Sequence, residues 1–208
     1  MKVALRMLIA GFAVVVVPKL QAQSISVSLR GTGSFPTGSF AQDQTTTGNT
    51  AVIEGAKNGF GYGLDVGLGI GPIGVYAGFD HIKFDCQTTT CTSDGKYTLQ
   101  GVAAGLKLYV PPVSMLHPFV KGGVTFNDLQ GGYGSSSSNV LTTDRAPGYE
   151  VGGGADISFL SLLSLTPQVR YVGQNLKAKI PGVSAPSATG RAVNYLTFDL
   201  GLTFHSPF

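Results

Sequence analysis

The chain has 208 residues, 30 of them glycine, and a formal net charge of +3 at neutral pH. Charged residues make up 12% of the chain, about half the share usual in soluble domains. The charge is too small, and the lysines and arginines too scattered, for a nucleic-acid-binding protein. Beyond the first twenty residues no apolar run approaches the roughly 20 residues that a transmembrane helix needs, which argues against a helical membrane protein.

Residues 1–22 are typical of a secretory signal peptide. A basic start with Lys2 and Arg6 precedes an apolar stretch of eleven residues and a plausible cleavage site at Ala22. A single anchor helix is the alternative, but eleven apolar residues are too few to span a bilayer. We therefore expect the mature chain, residues 23–208, to form one domain in an oxidising compartment.

Eight segments of the mature chain alternate between apolar and small or polar residues. Side chains of a strand point to opposite sides in turn, so each segment has one apolar face. Strands of about ten residues with an apolar outer face and a polar inner face are typical of bilayer-spanning β-barrels. The segments are Ser24–Phe35, Gly59–Ile70, Ile73–Phe84, Gly101–Val110, Pro118–Phe126, Tyr149–Phe159, Leu165–Gly173 and a last one that ends at Phe204.

The connections between these segments alternate in length. Short turns on one side and long loops on the other are typical of outer-membrane barrels. The outer face lacks the many lysines and glutamates of a soluble barrel. We predict an all-β, eight-stranded antiparallel transmembrane β-barrel, an up-and-down meander with both termini periplasmic. The short connections are 71–72, 111–116 and 160–164, and the long ones are 36–58, 85–100, 127–148 and 174–192.

The third segment, Ile73–Phe84, fits this pattern least well because apolar side chains lie on both of its faces. A bulge near His81, or emergence of the strand from the bilayer there, would reconcile the two faces, and both explanations stay open. One face carries Val75, Ala77 and Phe79, and the other carries Tyr76, Ile82 and Phe84.

The chain has two cysteines, Cys86 and Cys91, separated by four residues. In an oxidising compartment this spacing favours a disulfide that tightens one loop. The alternative, a pair of metal ligands, lacks a neighbouring histidine or third cysteine. We predict the disulfide in the second long loop.

Seven charged residues share the inward side of the strands, and we expect most of them to form one layer near mid-height of the lumen. Two interpretations compete, a salt-bridge network that fills a narrow barrel and a gate for a small water-filled pore. We favour the network because eight strands leave room for side chains but hardly for a channel. The residues are Asp65, Asp80, Lys107, Lys121, Asp156, Arg170 and Asp199.

Counting from the short turns predicts which of these charges lie opposite one another on neighbouring strands. Like charges there are unfavourable, so the first two pairs would need opposite charges from across the barrel. The expected pairs are Asp65 with Asp80, Lys107 with Lys121, and Asp156 with Arg170.

The histidines are the only candidates for catalysis. His117 and His205 lie near a turn and near the chain end, and His81 follows Asp80. A general base needs a nucleophile within hydrogen-bond reach, and no spacing here supplies one. The sequence also lacks a phosphate loop, a zinc motif and a nucleotide fingerprint. We predict no enzyme activity, cofactor or metal site.

The signal peptide, the eight alternating segments and the aromatic last strand resemble the outer-membrane β-barrel superfamily of OmpA/OmpX and opacity-type proteins. The most specific part is the pattern Phe198-x-Leu200-x-Leu202-x-Phe204. In that family such a pattern is the signal that the barrel-assembly machinery reads, and it usually ends the chain at its aromatic residue. Four further residues follow here, so the resemblance leaves either Phe204 or Phe208 as the recognised end.

The expected role is structural or in surface interaction, as a monomer in the bacterial outer membrane. Its expected partners are outer-membrane lipid, lipopolysaccharide and the barrel-assembly machinery, with no nucleic acid and with the surface ligand left open. A narrow pore for small solutes is the first alternative. A lipid A-modifying enzyme is the second.

Overall fold

A computed structural model describes residues 23–42, 53, 55–86, 95–111, 114–132, 140–179 and 190–207. The predicted signal peptide, Cys91 and Phe208 lie outside the described residues. In the described part of the chain, no helix is long and apolar enough to cross a membrane. The structure consists almost entirely of strands.

The described residues form eight long strands and two short ones, with a single 3-10 turn at Gly38–Phe40. The long strands carry the alternating pattern found in the sequence. The strands are β1 (Gln23–Thr37), β2 (Ala56–Ile70), β3 (Ile73–Cys86), β4 (Lys96–Tyr109), β5 (Leu116–Gly132), β6 (Val140–Thr143), β7 (Ala146–Leu160), β8 (Leu163–Leu176), β9 (Ala178–Lys179) and β10 (Arg191–Pro207).

Each long strand pairs antiparallel with the long strands before and after it in the chain, and β1 pairs with β10. The sheet therefore closes on itself and leaves no long edge unpaired. The short strands lie outside this ring, with β6 paired to β5 and to β9. The predicted eight-stranded antiparallel meander is confirmed.

Both ends of the described chain, Gln23 and Pro207, lie at the same end of the barrel as the short connections, and we call this the turn end. The connections there are residues 71–72, 110–115 and 161–162. Gly71 has a φ of +61°, which favours glycine in so short a turn. The long connections lie at the opposite end, the loop end.

Apolar side chains cover the outer face of the barrel. Their exposure follows the predicted alternation, as Phe60, Tyr62, Leu64 and Val66 on β2 illustrate. The inner face between them carries glycine, hydroxyl and charged residues. The predicted assignment of an apolar outside and a polar inside therefore holds for the middle of the barrel.

Strand β3 is regular through His81, so the bulge considered for it is wrong. Its outer face is apolar up to Phe79 and then turns polar with His81, Lys83 and Asp85. This change agrees with the other explanation, in which the strand leaves the apolar band near His81. The apolar residues Ile82 and Phe84 point inward and are fully buried.

An apolar cluster fills the lumen at the loop end. Phe40 and Ile53, which come from the connection between β1 and β2, are buried in it. Phe40 contacts the rings of Phe84 and Tyr97, with centroid distances of 5.2 and 5.9 Å. Several strands extend beyond their predicted ends because their inward residues join this cluster. The other members are Ala56, Ile82, Leu99, Leu129, Val172, Leu176, Val193 and Tyr195.

Candidate functional site: the lumen of the barrel

A network of seven charged side chains occupies the middle of the lumen. Each of them comes from the inward side of a different long strand, because alternate residues of every strand in a barrel point inside. All seven are joined by ion pairs or charged hydrogen bonds. We call them the central network: Arg30, Asp65, Asp80, Lys121, Glu150, Arg170 and Asp199.

Arg170 on β8 is the centre of this network and is almost completely buried. Its Nε and Nη2 donate to the two carboxylate oxygens of Asp199 at 2.7 and 3.2 Å. Its Nη1 donates to Asp80 at 3.0 Å and to Glu150 at 2.9 Å. One guanidinium thus holds together carboxylates from β3, β7 and β10, using the fork of donors that suits arginine to this role.

Arg30 and Lys121 are the other two cations of the central network, and each pairs with carboxylates inside it. Arg30 Nη2 donates to Asp80 at 2.7 Å, and its Nη1 pairs with Asp65. Lys121 Nζ lies 3.3 Å from Glu150. Buried charges are tolerated only when they are paired and hydrogen-bonded. All four carboxylates of the network have a cationic partner. Those of Asp80, Glu150 and Asp199 also accept hydrogen bonds, whereas Oδ1 of Asp65 is buried without one.

Tyr76 connects the network to the barrel wall. Its hydroxyl donates to Glu150, and Lys121 Nζ lies 4.1 Å from the centre of its ring. The ring occupies the space over Gly105 and Gly123, where an added Cβ would lie within 2.8 and 2.6 Å of its hydroxyl. Glycine at these positions therefore makes room for the tyrosine in the lumen.

A second, smaller group of charges lies nearer the turn end. Asp156 accepts from Lys107 Nζ at 3.1 Å, from the Tyr109 hydroxyl at 3.2 Å and from the Thr166 hydroxyl at 2.7 Å. The ammonium of Lys107 also lies 3.6 Å from the centroid of the Phe119 ring. This is a favourable cation–π arrangement.

Two of the expected pairings are wrong, and the reason is the register. Arg170 is opposite Gly152, not Asp156, because Asp156 lies closer to the 161–162 turn than Arg170 does. Asp80 is opposite Gly63, whereas Asp65 is opposite Gly78. Arg30 accordingly bridges the two carboxylates instead of leaving them to face each other.

Lys107 and Lys121 are opposite each other, as the turn count predicts. Each turns to a different acidic partner, Asp156 for the first and Glu150 for the second. The seven predicted residues thus divide into two groups at different heights. The expectation of one layer is wrong, because counting residues from the turns does not fix height when strands are tilted in a barrel.

Sequence reasoning missed Arg30 and Glu150, which are both buried members of the central network. The alternation of inward and outward residues that indicated the other members also places these two on the inward side of their strands. Arg30 continues the inward series of Ser24, Ser26 and Ser28, and Glu150 lies between two outward residues of β7. Because Arg30 and Glu150 carry opposite charges, adding both leaves the net charge of the predicted set unchanged. That net charge therefore could not indicate that they were missing.

Below the charged groups, the lumen opens at the turn end into a cavity of about 450 Å³. Polar side chains line part of it, among them Tyr109, His117, Asp156, Ser164 and His205. A smaller space of about 50 Å³ continues inward along the serines of β1 as far as Asp65. Side chains of the described residues thus occupy the lumen from the central network to the loop end. The open space at the turn end consists of these two cavities, and we call it the vestibule.

Of the three histidines, one lies on the outside of the barrel and two lie inside it. His81 lies on the outer face, where its ring stacks on Tyr62 at 5.2 Å, while its sequence neighbour Asp80 points into the lumen. His117 and His205 line the vestibule. Among the described residues, no group of three histidine, cysteine, aspartate or glutamate side chains could hold a metal ion.

The other sequence-predicted residues lie along β10 and at the end of β3. Phe198, Leu200, Leu202 and Phe204 alternate along the exposed outer face of β10. That strand continues past Phe204 and stays paired with β1 up to Pro207. Cys86 is the last residue of β3, and its pairing with Cys91 stays a prediction.

Residues 7–205 match the family model of the outer membrane protein β-barrel domain. Among solved structures, Neisserial surface protein A is similar, with 14% identity, a TM-score of 0.56, and coverage of 88% of this chain and 97% of that chain. OprG from Pseudomonas aeruginosa has 14% identity and a TM-score of 0.55, with coverage of 90% and 97%. AlkL, solved in lipid bilayers, has 13% identity and a TM-score of 0.51, with 94% of each chain covered.

No curated protein matches the sequence. At these identities the solved structures show a shared fold, whereas the family model spans nearly the whole chain. The chain belongs to the outer membrane protein β-barrel family and is a protein of the bacterial outer membrane.

Proposed function

We propose that the protein is a sealed outer-membrane barrel with a structural or surface-interaction role, not a pore and not an enzyme. The observation that carries this proposal is that the lumen is filled at two successive levels. Solutes entering the vestibule meet the central network, and above it the apolar cluster around Phe40 fills the loop end. In the part of the chain that the structure describes, these two levels of side chains lie across the lumen, which supports a sealed barrel.

The barrel is oriented with both termini and the turn end in the periplasm and the loop end at the cell surface. The alternation of short and long connections supports this orientation, which is the usual one for bacterial barrels. The long connections would then be the segments that meet surface partners. The strand pattern of Phe198, Leu200, Leu202 and Phe204 would be read by the barrel-assembly machinery, and the protein would remain a monomer.

The pore alternative is tested by conductance in planar bilayers. The purified, folded barrel should give no discrete current steps, while a general porin in the same bilayers gives them. Regular steps from the wild-type protein would overturn the sealed-barrel proposal.

The enzyme alternative is tested by mass spectrometry of lipid A after overexpression. If the chain is not a lipid A-modifying enzyme, as proposed, the lipid A spectra should not change.

The orientation is tested separately with epitopes on intact cells. An epitope inserted after Ser136, in the long connection between β5 and β6, should bind antibody on intact cells. The same epitope inserted after Val113, in the short connection between β4 and β5, should bind only after permeabilisation. The reverse result would mean that the barrel is inserted the other way round.

A further inference from the structure

The three short connections at the turn end lie in segments without charged residues. Each segment runs between two charged residues that point into the lumen, and its thirteen or fourteen residues include no aspartate, glutamate, lysine or arginine. The short connections and the strand ends beside them therefore carry no charge on their outer surface. The segments are 66–79, 108–120 and 157–169.

Large apolar side chains are exposed on these connections and directly beside them. Met115 in the second connection is 66% exposed, and Leu160, which ends β7, is 58% exposed. Turns that lie in water are typically formed by glycine, proline, asparagine, aspartate and serine. The apolar side chains therefore require an apolar surrounding that the structure of the chain does not supply. The other exposed ones are Ile70, Ile73, Val110 and Leu162.

The apolar surface at the turns continues the outer face of the barrel. On β2 the exposed series that includes Leu64 and Val66 ends at Ile70, directly before the turn. Its register partner Ile73 begins the outward series of β3, and the outward leucines of β4 lead to Val110. Since the chain is an outer-membrane barrel, the surface that contacts lipid extends to the turns.

The height of β3 limits how far the first turn can extend. Counted from that turn, His81 is the first polar residue on the outer face of β3, and Pro72 lies nine residues before it. At about 3.3 Å per residue and a tilt of about 40°, nine residues give roughly 23 Å of height. The apolar band of such barrels is about 25 Å tall. Even with His81 at one border of the band, the turn at 71–72 therefore reaches only the other border.

A protein partner fits this surface less well than lipid does. Protein interfaces have an apolar centre and a polar rim, and an apolar patch with such a rim marks a docking site. On the described strands that border the three turns, the apolar side chains instead continue into the lipid-facing surface. This continuity favours the acyl chains of the bilayer as the occupant.

We propose that the turn end of the barrel is immersed in the bilayer leaflet around it, so that the three short turns contact phospholipid acyl chains and glycerol groups instead of water. In the orientation proposed above this is the periplasmic leaflet, but the immersion does not depend on the orientation. The lipids around β2 and β3 adjust to the short apolar span by local thinning of the bilayer, the usual response to such a mismatch.

The immersion determines where the vestibule opens. Gly71, Pro72, Val110 and Pro111 belong to the short connections and also line the wider cavity. With these residues among the glycerol and head groups of the lipids, the vestibule opens into the membrane interface and not into bulk water. Molecules that reach Asp156 would then come from this interfacial layer.

The proposal is tested by a depth measurement, which the absence of tryptophan from the chain makes possible. Leu162→Trp and Met115→Trp each place a single tryptophan on a different connection, in purified barrel folded in phosphatidylcholine vesicles. Both should emit at short wavelength and be quenched mainly by lipid brominated near the glycerol. Iodide present on both sides of the membrane should remove little of their emission. Tryptophan is itself favoured at this interface, so the substitutions should be mild.

Two control variants calibrate the measurement. Leu106→Trp on the outer face of β4 should be quenched most by lipid brominated near the centre of the bilayer. Lys96→Trp replaces a side chain at the loop end that is 60% exposed, and it should be quenched by iodide but not by brominated lipid. Wild-type-like heat modifiability establishes that each variant is folded.

Quenching of both turn variants by brominated lipid, with little quenching by iodide, would support the proposal. Strong iodide quenching of either one, as in Lys96→Trp, would place that turn in water and overturn the immersion of the turn end. A turn tryptophan that neither iodide nor brominated lipid quenches would be covered by a second copy of the chain. That result would overturn the proposal as well.

Discussion

Arg170 and Asp199 meet in a two-point contact inside the barrel, Nε to Oδ2 at 2.7 Å and Nη2 to Oδ1 at 3.2 Å. The contact joins β8 to β10, the strand that closes the ring with β1. Thr197 and Gln168 donate to the same carboxylate, each at 3.2 Å. A planar guanidinium matches a carboxylate in this way and fixes the relative position of both partners.

The first prediction concerns this pair. Arg170→Gln should lower the free energy of unfolding by about 3–5 kcal/mol, because it leaves buried carboxylates without a partner. Adding Asp199→Asn should recover part of that loss, since it removes one of the stranded charges. Urea unfolding in lipid vesicles measures the two single variants and the double.

The matched control for this experiment is Asp156→Asn. Asp156 is bonded to Lys107, Tyr109 and Thr166 and not to Arg170. Its effect should therefore add to that of Arg170→Gln within about 0.5 kcal/mol, as independent sites do. Strong coupling of Arg170 with Asp156 and none with Asp199 would contradict the register of β7, β8 and β10.

Alternation of residue types predicted the faces of the strands but not their heights. The outer positions of Leu64 and Val66 follow directly from the period of two in a strand. The partner of Arg170 depends instead on where the 161–162 turn begins and on how far β8 is displaced along β10. A shift by two residues along a strand keeps every side chain on its face but exchanges the ion pairs.

The contribution of the long connections could not be predicted from alternation at all. Phe40 and Ile53 lie in a segment without periodicity, so nothing in the sequence pattern directs them into the barrel. The inward apolar residues of β3 could be interpreted only once these partners were known. Ile82 and Phe84, which contradict the polar-inside rule, are the lumen side of that cluster.

A charge on the outer face should impair the barrel. Leu106 on β4 is 53% exposed and points outward, so Leu106→Arg should cost about 2–4 kcal/mol if it lies near the bilayer midplane. Folding is measured by heat modifiability and by unfolding in vesicles. An unchanged yield of folded protein would mean that this face does not contact lipid.

The control for Leu106→Arg is a substitution at a residue that points into the lumen. Gly105 is unsuitable, because a Cβ there would collide with the backbone of Gly122 and Gly123. Ser26 lines the vestibule, and Ser26→Ala removes only a hydroxyl. This substitution should change stability by less than about 1 kcal/mol.

The predicted disulfide between Cys86 and Cys91 is tested by thiol labelling. Cys86 and Cys91 should resist thiol labelling in the secreted, unfolded protein until a reductant is added. A loop of this size closes with little change in chain entropy, so reduction should lower stability by no more than about 3 kcal/mol. Rapid labelling of either cysteine without reductant would reject the bond.

The last prediction separates the two levels that fill the lumen. Phe40 is fully buried among Phe84, Tyr97 and other members of the apolar cluster. Phe40→Ala should therefore destabilise the barrel by about 3–5 kcal/mol through lost burial and the cavity left behind. Phe40→Leu, which keeps most of the apolar volume, should cost clearly less. Urea unfolding in vesicles gives the two values.

The loss of stability in Phe40→Ala should not be accompanied by a gain of ion conductance. The central network lies below the cluster, and Phe40→Ala leaves all of its ion pairs in place. Planar bilayers containing folded Phe40→Ala should therefore remain as silent as those with the wild type. Discrete current steps from this variant would mean that the apolar cluster alone seals the barrel and that ions pass the charged side chains. In that case the network around Arg170 would have to be described as a permeable, water-containing layer.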